Sequence, residues 1–136
     1  MTKRLLIVSG VVLAIAVTAW VMVNPGGRFG ISQYGVTTYA RVPLPILDVQ
    51  VRADGAFRLV SKTHDIDAQR LAWLLESKPQ ILIVGLGWTG AARITGRPIA
   101  APDIRIIAVP TDEALPLYNS LKEQSVRVAI HVHSTC

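Results

Sequence analysis

The sequence predicts a three-layer α/β domain with a central mixed β-sheet, a β-hairpin and two main helices, preceded by one N-terminal transmembrane helix. An uncharged apolar run fills residues 5–23. Beyond it, segments that alternate apolar and polar residues, typical of strands, are interleaved with segments whose apolar residues recur every three or four positions, typical of helices. The unbroken apolar run at 81–84 indicates a strand buried on both faces in a sheet covered by helices, and residues 104–109 indicate a second central strand.

Length, charge and cysteine content limit the function classes. A chain of 136 residues has room for one domain of ordinary size. The formal net charge is +5, but the basic residues beyond the N-terminal apolar run are scattered singly, and no run of them would follow a phosphate backbone. We therefore predict no binding to nucleic acid. The single cysteine, Cys136, excludes an intrachain disulfide and leaves both oxidising and reducing compartments open.

The apolar run 5–23 is predicted to be a membrane anchor whose partner is the lipid bilayer. As a helix, these residues would rise about 28 Å, which matches a hydrocarbon core of about 30 Å. A cleaved signal peptide is the alternative, because Lys3 and Arg4 form a basic start and Ala14 and Ala16 offer small residues for cleavage. The run continues well beyond Ala16 and includes Trp20, an interfacial residue type, which favours an uncleaved signal anchor.

The charges that flank this run predict its orientation. The basic residues of segment 1–4 place that segment in the cytoplasm and the domain on the non-cytoplasmic side of the cell (inner) membrane, with a single pass. Residues 24–35, which contain Asn-Pro-Gly-Gly, are predicted to be a flexible linker. Residues 36–136 are predicted to form the folded domain.

The first half of the domain is predicted to contain mainly strands. Residues 37–42 indicate a strand at a sheet edge, because Pro43 and Pro45 interrupt it. Such an edge can pair between chains, so we expect a homodimer to use residues 37–45. Residues 46–52 and 56–61 are strand-like, the first with strict alternation, and are separated by Ala-Asp-Gly, which predicts a hairpin.

Two helices and a last strand complete the prediction. Asp65 or Asp67 is expected to cap a helix over 68–77, and Thr111 to cap a second helix. Residues 126–133 alternate, so His131 and His133 are expected to share one face of the last strand.

Three glycines follow the strand at 81–84 in the spacing Gly85-x-Gly87-x-x-Gly90, which is also found in dinucleotide-binding turns. Such a turn needs a helix directly after the glycines, whose amides bind the pyrophosphate. Glycine and proline residues within 91–103 leave no room for this helix. The sequence therefore favours a tight turn in which Gly85 and Gly87 supply backbone conformations that other residues avoid.

Residues 78–87 and 106–121 together carry a wider motif: a proline, an apolar strand with Gly-x-Gly, then a strand that ends in threonine, an alanine and a Tyr-Asn-x-Leu helix. In this motif the chain resembles the adipogenesis-associated Mth-domain family of small α/β proteins, over most of residues 34–132. Leu86 stands where that family usually has threonine. The matching positions are Pro79, Gly85, Gly87, Thr111, Ala114, Tyr118, Asn119 and Leu121.

The resemblance implies a three-layer α/β domain without a settled enzymatic activity. One member of the family is similar to an assembly factor for respiratory complex I, so the resemblance implies a protein-interaction or membrane-complex assembly accessory more than a catalyst. We predict no cofactor. Any ligand that used the family's threonine loses that contact here, because Leu86 replaces it.

A ligand or partner cleft is predicted at the C-terminal ends of the two apolar strands, where open α/β sheets place ligands. It supports an alternative function as a small enzyme or small-ligand-binding domain. Packing roles are favoured for Tyr118 and Asn119, and an exposed position is favoured for Trp88. The candidates are Gly85, Gly87, Trp88, Thr111, Tyr118 and Asn119.

A weaker candidate is a metal site in the sequence "HVHSTC". Imidazole and thiolate ligands suit zinc or copper, and His131, His133 and Cys136 are close enough in sequence to converge. The simpler interpretation is that the histidines fill the polar face of a strand while the cysteine lies in solvent. His64 is too distant in sequence to be placed with them.

Overall fold

The computed structural model describes residues 2–97 and 99–136, so Met1 and Pro98 lie outside the described residues. Twelve elements follow along the chain: α1 (Lys3–Val23), β1 (Val36–Tyr39), β2 (Val42–Pro45), β3 (Asp48–Val51), β4 (Phe57–Val60), β5 (Asp65–Ile66), α2 (Ala68–Leu75), β6 (Ile81–Gly85), β7 (Arg93–Ile94), β8 (Arg105–Val109), α3 (Thr111–Glu123) and β9 (Val128–Val132).

Helix α1 is the predicted N-terminal apolar helix. Its 21 residues rise about 31 Å, and its mean hydropathy reaches 2.6. None of its residues is buried by the rest of the protein. By length and composition, this helix can cross a membrane.

The domain is built on a mixed five-stranded sheet in the order β4-β3-β9-β6-β8. Strand β6 runs parallel to both of its neighbours, β8 and β9, whereas β3 is antiparallel to β4 and β9. The predicted hairpin is β3-β4, and the predicted burial of β6 on both faces is confirmed. The sequence pattern of β8 indicated a central strand, but β8 is an edge strand that leaves Arg105 and Ala108 exposed.

Helices cover the two faces of this sheet and give the predicted three layers. The buried side chains of the face under α2 are Ile66, Leu71, Leu74, Leu82, Val84, Ala92 and Ala129. Those of the face under α3 are Phe29, Tyr39, Leu44, Val49, Val51, Ile83, Ala114, Leu115, Tyr118, Val128, Ile130 and Val132. Both cores are aliphatic near the sheet, and the α3 side adds a cluster of aromatic rings.

Strands β1 and β2 form a separate two-stranded sheet, where the sequence predicted one interrupted strand. Their two-residue turn places Ala40 and Arg41 at positive φ, of 48° and 73°. Two-residue hairpin turns of this kind usually contain Asn-Gly or a similar pair. Because Ala40 and Arg41 form this turn instead, the sequence pattern did not reveal the hairpin. Pro43 and Pro45 lie on β2, whose outer edge is the one that the predicted homodimer would use.

The two domain helices begin differently. The carboxylate of Asp67 accepts a hydrogen bond from the Arg70 amide at 2.8 Å, so Asp67 is the predicted cap of α2. The prediction that Thr111 caps α3 is wrong, because Pro110 occupies the cap position and makes no side-chain bond there. The Thr111 hydroxyl is turned instead toward the end of the sheet.

The segment predicted to be a flexible linker, residues 24–35, packs against the domain. Phe29 is 3% exposed and bridges to Tyr39, and the Asn24 side chain is buried. The Asn24 Oδ1 accepts a hydrogen bond from the Ile31 amide at 2.9 Å, and its Nδ2 donates to the Trp20 carbonyl. Glycine and proline content indicated flexibility, but one aromatic and one asparagine side chain fix this segment in place.

Candidate functional site

Strands β6 and β9 end at the same edge of the sheet, where three further segments meet them. These are the Gly85-x-Gly87 turn, the start of α3 and residues 133–136. Thr111 joins all three, because its hydroxyl accepts a hydrogen bond from the Gly87 amide at 3.0 Å and donates to the His133 carbonyl at 2.8 Å. The Thr111 amide in turn donates to the Gly87 carbonyl.

The glycines in this turn are required by close packing. Gly87 has φ +94°, and a Cβ there would lie 1.7 Å from the Cys136 carbonyl oxygen. A Cβ on Gly85 would meet the Thr111 hydroxyl at 3.2 Å. Between β6 and β8, the described residues contain only turns and the short strand β7, with no helix. The turn therefore has neither the space nor the helix that a dinucleotide needs.

The residues predicted to line one cleft are divided between the interior and the surface. Gly85, Gly87, Thr111 and Tyr118 are buried. The Tyr118 ring lies 5.1 Å from that of Phe29, and its hydroxyl is 3.3 Å from the hydroxyl of Tyr39. Desolvation by burial raises the pKa of the Tyr118 phenol well above its ordinary value, so this group stays neutral.

Trp88 and Asn119 are the two predicted cleft residues that reach a surface depression. They line an open pocket of about 250 Å³ together with residues from α3 and from segment 29–32. Trp88 is half-buried, whereas the sequence predicted exposure, and its indole N–H has no hydrogen-bond partner among the described residues. Asn119 has defined partners, because its side chain accepts from the Phe29 amide at 2.9 Å and donates to the Phe29 carbonyl at 2.8 Å.

Replacing Asn119 by alanine is expected to destabilise the fold by about 1–3 kcal/mol, because the backbone groups of Phe29 lose both partners. Chemical unfolding of the full chain in detergent micelles would measure this change. Ser120→Ala, at the neighbouring exposed position, is the matched control and should leave stability within about 0.5 kcal/mol of the parent. Equal effects of the two substitutions would contradict the packing role of Asn119.

A second set of polar residues lies on the α2 side of the same edge. Asp48 is fully buried, and both of its carboxylate oxygens lie close to His133 Nδ1, at 3.0 and 3.1 Å. The Ser134 amide also donates to Asp48, at 3.3 Å. In the neutral imidazole, the proton that Asp48 accepts is on Nδ1, and His133 Nε2 carries the lone pair.

His131, on the same face of β9, is held by a different chain of hydrogen bonds. Arg58 can only donate, and it donates to Gln50 Oε1, so the Gln50 amide donates to His131 Nδ1 at 3.1 Å and to the Arg70 carbonyl at 2.9 Å. The proton of His131 is then on Nε2. This atom faces Asp48 Oδ2 at 3.7 Å, which is too long for a hydrogen bond.

Burial, as the largest cause, and the nearby positive charge of Arg70 together lower the pKa of His131 to about 3. His131 is therefore a neutral imidazole inside the protein. Its two nitrogens are turned to Gln50 and Asp48, away from Cys136.

His64 replaces His131 beside the other predicted metal ligands. It lies just before β5, and its Nε2 is 3.1 Å from Cys136 Sγ, while its ring stacks edge-on against His133 at 5.0 Å. The ligand atoms of His64, His133 and Cys136 all lie within 4.8 Å of one another. The predicted metal-ligand set His131, His133 and Cys136 is thus corrected in one member, because His64 takes the place of His131. Alternation along β9 places both histidines on one face of the strand, but it does not bring both rings to Cys136.

The three residues line an open pocket of about 290 Å³. Lys62 also reaches it, and its ammonium donates to the Thr135 hydroxyl at 3.3 Å. Tyr34 and Thr63 complete the rim. No local pattern connects His64 with Cys136, which are 72 residues apart in sequence, so only the fold brings them together.

The comparisons with known proteins show similarity to solved structures. No protein-family model matches the chain, and no curated protein matches it. The protein MT938 is 28% identical with a TM-score of 0.68, over 80% of this chain and 98% of that one. An outer membrane protein from Bartonella henselae is 17% identical with a TM-score of 0.62, over 83% of this chain and 99% of that one.

A third structure, that of a Bordetella pertussis protein, is described as a Mth938-like domain. It is 15% identical with a TM-score of 0.55, over 79% of this chain and 85% of that one. The resemblance to Mth-domain proteins that the sequence predicted is confirmed by these structural matches. The link to the adipogenesis-associated members stays a prediction. The folded part of this chain therefore has the fold of these Mth938-like structures.

Proposed function

We propose that this protein is a single-pass membrane-anchored domain that acts as an interaction or assembly accessory of a membrane protein complex. The uncovered helix α1 carries the proposal, since none of its residues is buried. A helix with a mean hydropathy of 2.6 is strongly driven out of water, and among the described residues the domain buries none of its side chains.

The join between α1 and the domain supports a role close to the membrane surface. The Trp20 indole donates to the Arg41 carbonyl at 3.2 Å, and the buried Asn24 side chain closes the last turn of the helix. These contacts hold the β1-β2 hairpin beside the end of the helix. A partner that is itself embedded in the membrane would meet this surface without a long tether.

The proposed location is the cell (inner) membrane, with the domain on the non-cytoplasmic side. Lys3 and Arg4 lie in the first turn of α1, and Arg28 and Arg41 follow the helix. Arg28 forms an ion pair with Glu123 at 2.5 Å. Arg41 forms no ion pair among the described residues, so it is the nearest unpaired basic residue after the C-terminal end of α1. The remaining asymmetry favours a cytoplasmic N-terminus.

Membrane attachment is tested by fractionation of cells that express the full chain. We expect the protein to sediment with membranes and to resist alkaline carbonate extraction. The double substitution Leu13→Arg/Val17→Arg should move it to the soluble fraction, because each arginine costs about 2.5–3.5 kcal/mol at the centre of a membrane helix. Leu13→Val/Val17→Leu is the matched control and should stay in the membrane.

Both positions are exposed on α1, at 65% and 53%, so neither change touches the domain. Carbonate release of the parent protein would contradict the anchor. Sidedness is then read from Gln69→Cys in a Cys136→Ser background, because Gln69 is exposed on α2. Labelling by a membrane-impermeant thiol reagent in intact cells supports the proposed side, and labelling only after permeabilisation contradicts it.

The alternative function, a small enzyme or ligand-binding domain beside Gly85-x-Gly87, has less support. The space beside Gly87 is filled by the backbone of residues 135 and 136. The pocket of His64, His133 and Cys136 is the part of this edge that remains open.

A further inference from the structure

One imidazole-thiol cluster at the end of the sheet has no part in the membrane role proposed above. It consists of His64, His133 and Cys136, whose ligand atoms lie within 4.8 Å of one another. Zinc bonds of about 2.0–2.1 Å to nitrogen and about 2.3 Å to sulfur place ligand atoms roughly 3.3–3.8 Å apart around a tetrahedral ion. His64 is exposed and Cys136 is half-buried, so movements on the order of 1 Å by these two side chains bring the set into that range.

The orientation of His133 is the second observation. Histidine ligands of metals commonly donate their other ring nitrogen to a carboxylate, which fixes the ring and the tautomer. Asp48 holds His133 Nδ1 in this way through both oxygens, at 3.0 and 3.1 Å. His133 lines the open pocket, and its Nε2 makes only a long contact of 3.5 Å with the Thr135 hydroxyl.

The charge of Asp48 is the third observation. Its side chain is fully buried, and in the part of the chain that the structure describes, its ion-pair contacts are two imidazoles and no lysine or arginine. A buried carboxylate is costly without a compensating positive charge. A divalent ion bound by the Cys136 thiolate would balance both negative charges, so the whole cluster would be neutral.

We infer that His64, His133 and Cys136 bind one Zn²⁺ ion, with Asp48 as the residue that positions His133. Two nitrogens and one sulfur suit zinc and exclude the oxygen-seeking ions calcium and magnesium. Thr135 and Tyr34 also line this open pocket, from which a water molecule would supply the fourth ligand. Lys62 lines the same pocket, and because its side chain is exposed it can turn to solvent when the ion binds.

The experiment uses the full metal-free chain in detergent micelles and Zn²⁺ alone as the ligand. Cys136 is the single cysteine, so its rate of alkylation reports on the site directly. We expect one equivalent of Zn²⁺ to slow alkylation by about tenfold or more, and His64→Ala to weaken the binding of Zn²⁺ by about 10- to 100-fold. Tyr34→Phe is the matched control, because it lies on the same rim, contributes no zinc ligand, and should keep full protection.

Two further variants separate the ligands from their surroundings. Asp48→Asn should weaken Zn²⁺ binding by about 10- to 100-fold, because His133 loses the carboxylate that orients its ring. Co²⁺ bound to the parent protein should show the charge-transfer absorption of a thiolate ligand. His131→Gln should still bind Zn²⁺. The inference is overturned if the parent shows no protection, if His64→Ala is protected as well as the parent, or if a folded His131→Gln loses the ion.

Discussion

Replacing Gly87 by alanine is expected to destabilise the domain by about 3–5 kcal/mol, because the added Cβ combines a steric clash with backbone strain. That Cβ would lie 1.7 Å from the Cys136 carbonyl oxygen, and the residue has φ +94°. The clashing atoms belong to the backbone, so no side chain can rotate to relieve the contact. Residues 134–136 must move away from the turn, and the bond from the Trp88 amide to the Thr135 carbonyl must break.

Chemical unfolding of the full chain in micelles would measure the loss of stability. A faster alkylation of Cys136 in metal-free protein would show that the displaced segment is the one next to Gly87. Gly90→Ala is the matched control, because Gly90 also has positive φ, +72°, but its nearest heavy atom lies 4.0 Å away. It should cost only the backbone strain, about 1–2 kcal/mol. Equal losses in the two variants would mean that packing against residues 135–136 is not what requires the glycine.

Tyr118→Ala is expected to cost about 3–5 kcal/mol, as is usual when a buried aromatic side chain is truncated. The Tyr118 ring is fully buried between Phe29 and Tyr39, with ring centroids 5.1 and 6.2 Å away. Its removal leaves a cavity below segment 24–31. We therefore expect a second effect, faster trypsin cleavage after Arg28, because that segment loses the ring that Phe29 packs against.

Tyr118→Phe isolates the hydroxyl, which lies 3.3 Å from the hydroxyl of Tyr39. This substitution should cost about 0.5–1.5 kcal/mol, the net contribution of one hydrogen bond. Unfolding curves and the rate of trypsin cleavage check both variants in the same preparation. A stable Tyr118→Ala protein with unchanged cleavage would support the ligand role that the sequence allowed for this tyrosine.

Local sequence patterns were sufficient to predict most elements of this fold. The apolar run of α1, the alternation in β3, the unbroken apolar run of β6 and the Asp67 cap each depend on neighbouring residues, and each is observed. The order of strands depends on pairing between distant segments, so the edge position of β8 was not visible in its composition. The same limit applies to Thr111, whose hydroxyl is turned to Gly87 and His133 by contacts across the sheet.

The candidate metal site shows this limit at a single residue. Sequence proximity grouped His131 with His133 and Cys136, and alternation correctly placed both histidines on one face of β9. It could not show that Gln50 and Asp48 hold the His131 ring inside the protein. His64 entered the site through the position of β5 beside β7, a two-residue pairing with no recognisable pattern in the sequence.

The central position of β9 has a consequence for folding kinetics. It separates β3 from β6 in the sheet although it follows both along the chain, and paired residues such as Gln50 and His131 are 81 positions apart. Sheets that close through such distant pairs fold slowly, since the entropy of closing the loop is lost before the contacts form. Helix α1, whose hydrogen bonds are local, can enter a bilayer well before that closure. We therefore expect newly made chains to remain at the membrane with the edges of β3 and β6 open until β9 inserts between them. During this interval, aggregation or capture by chaperones competes with folding.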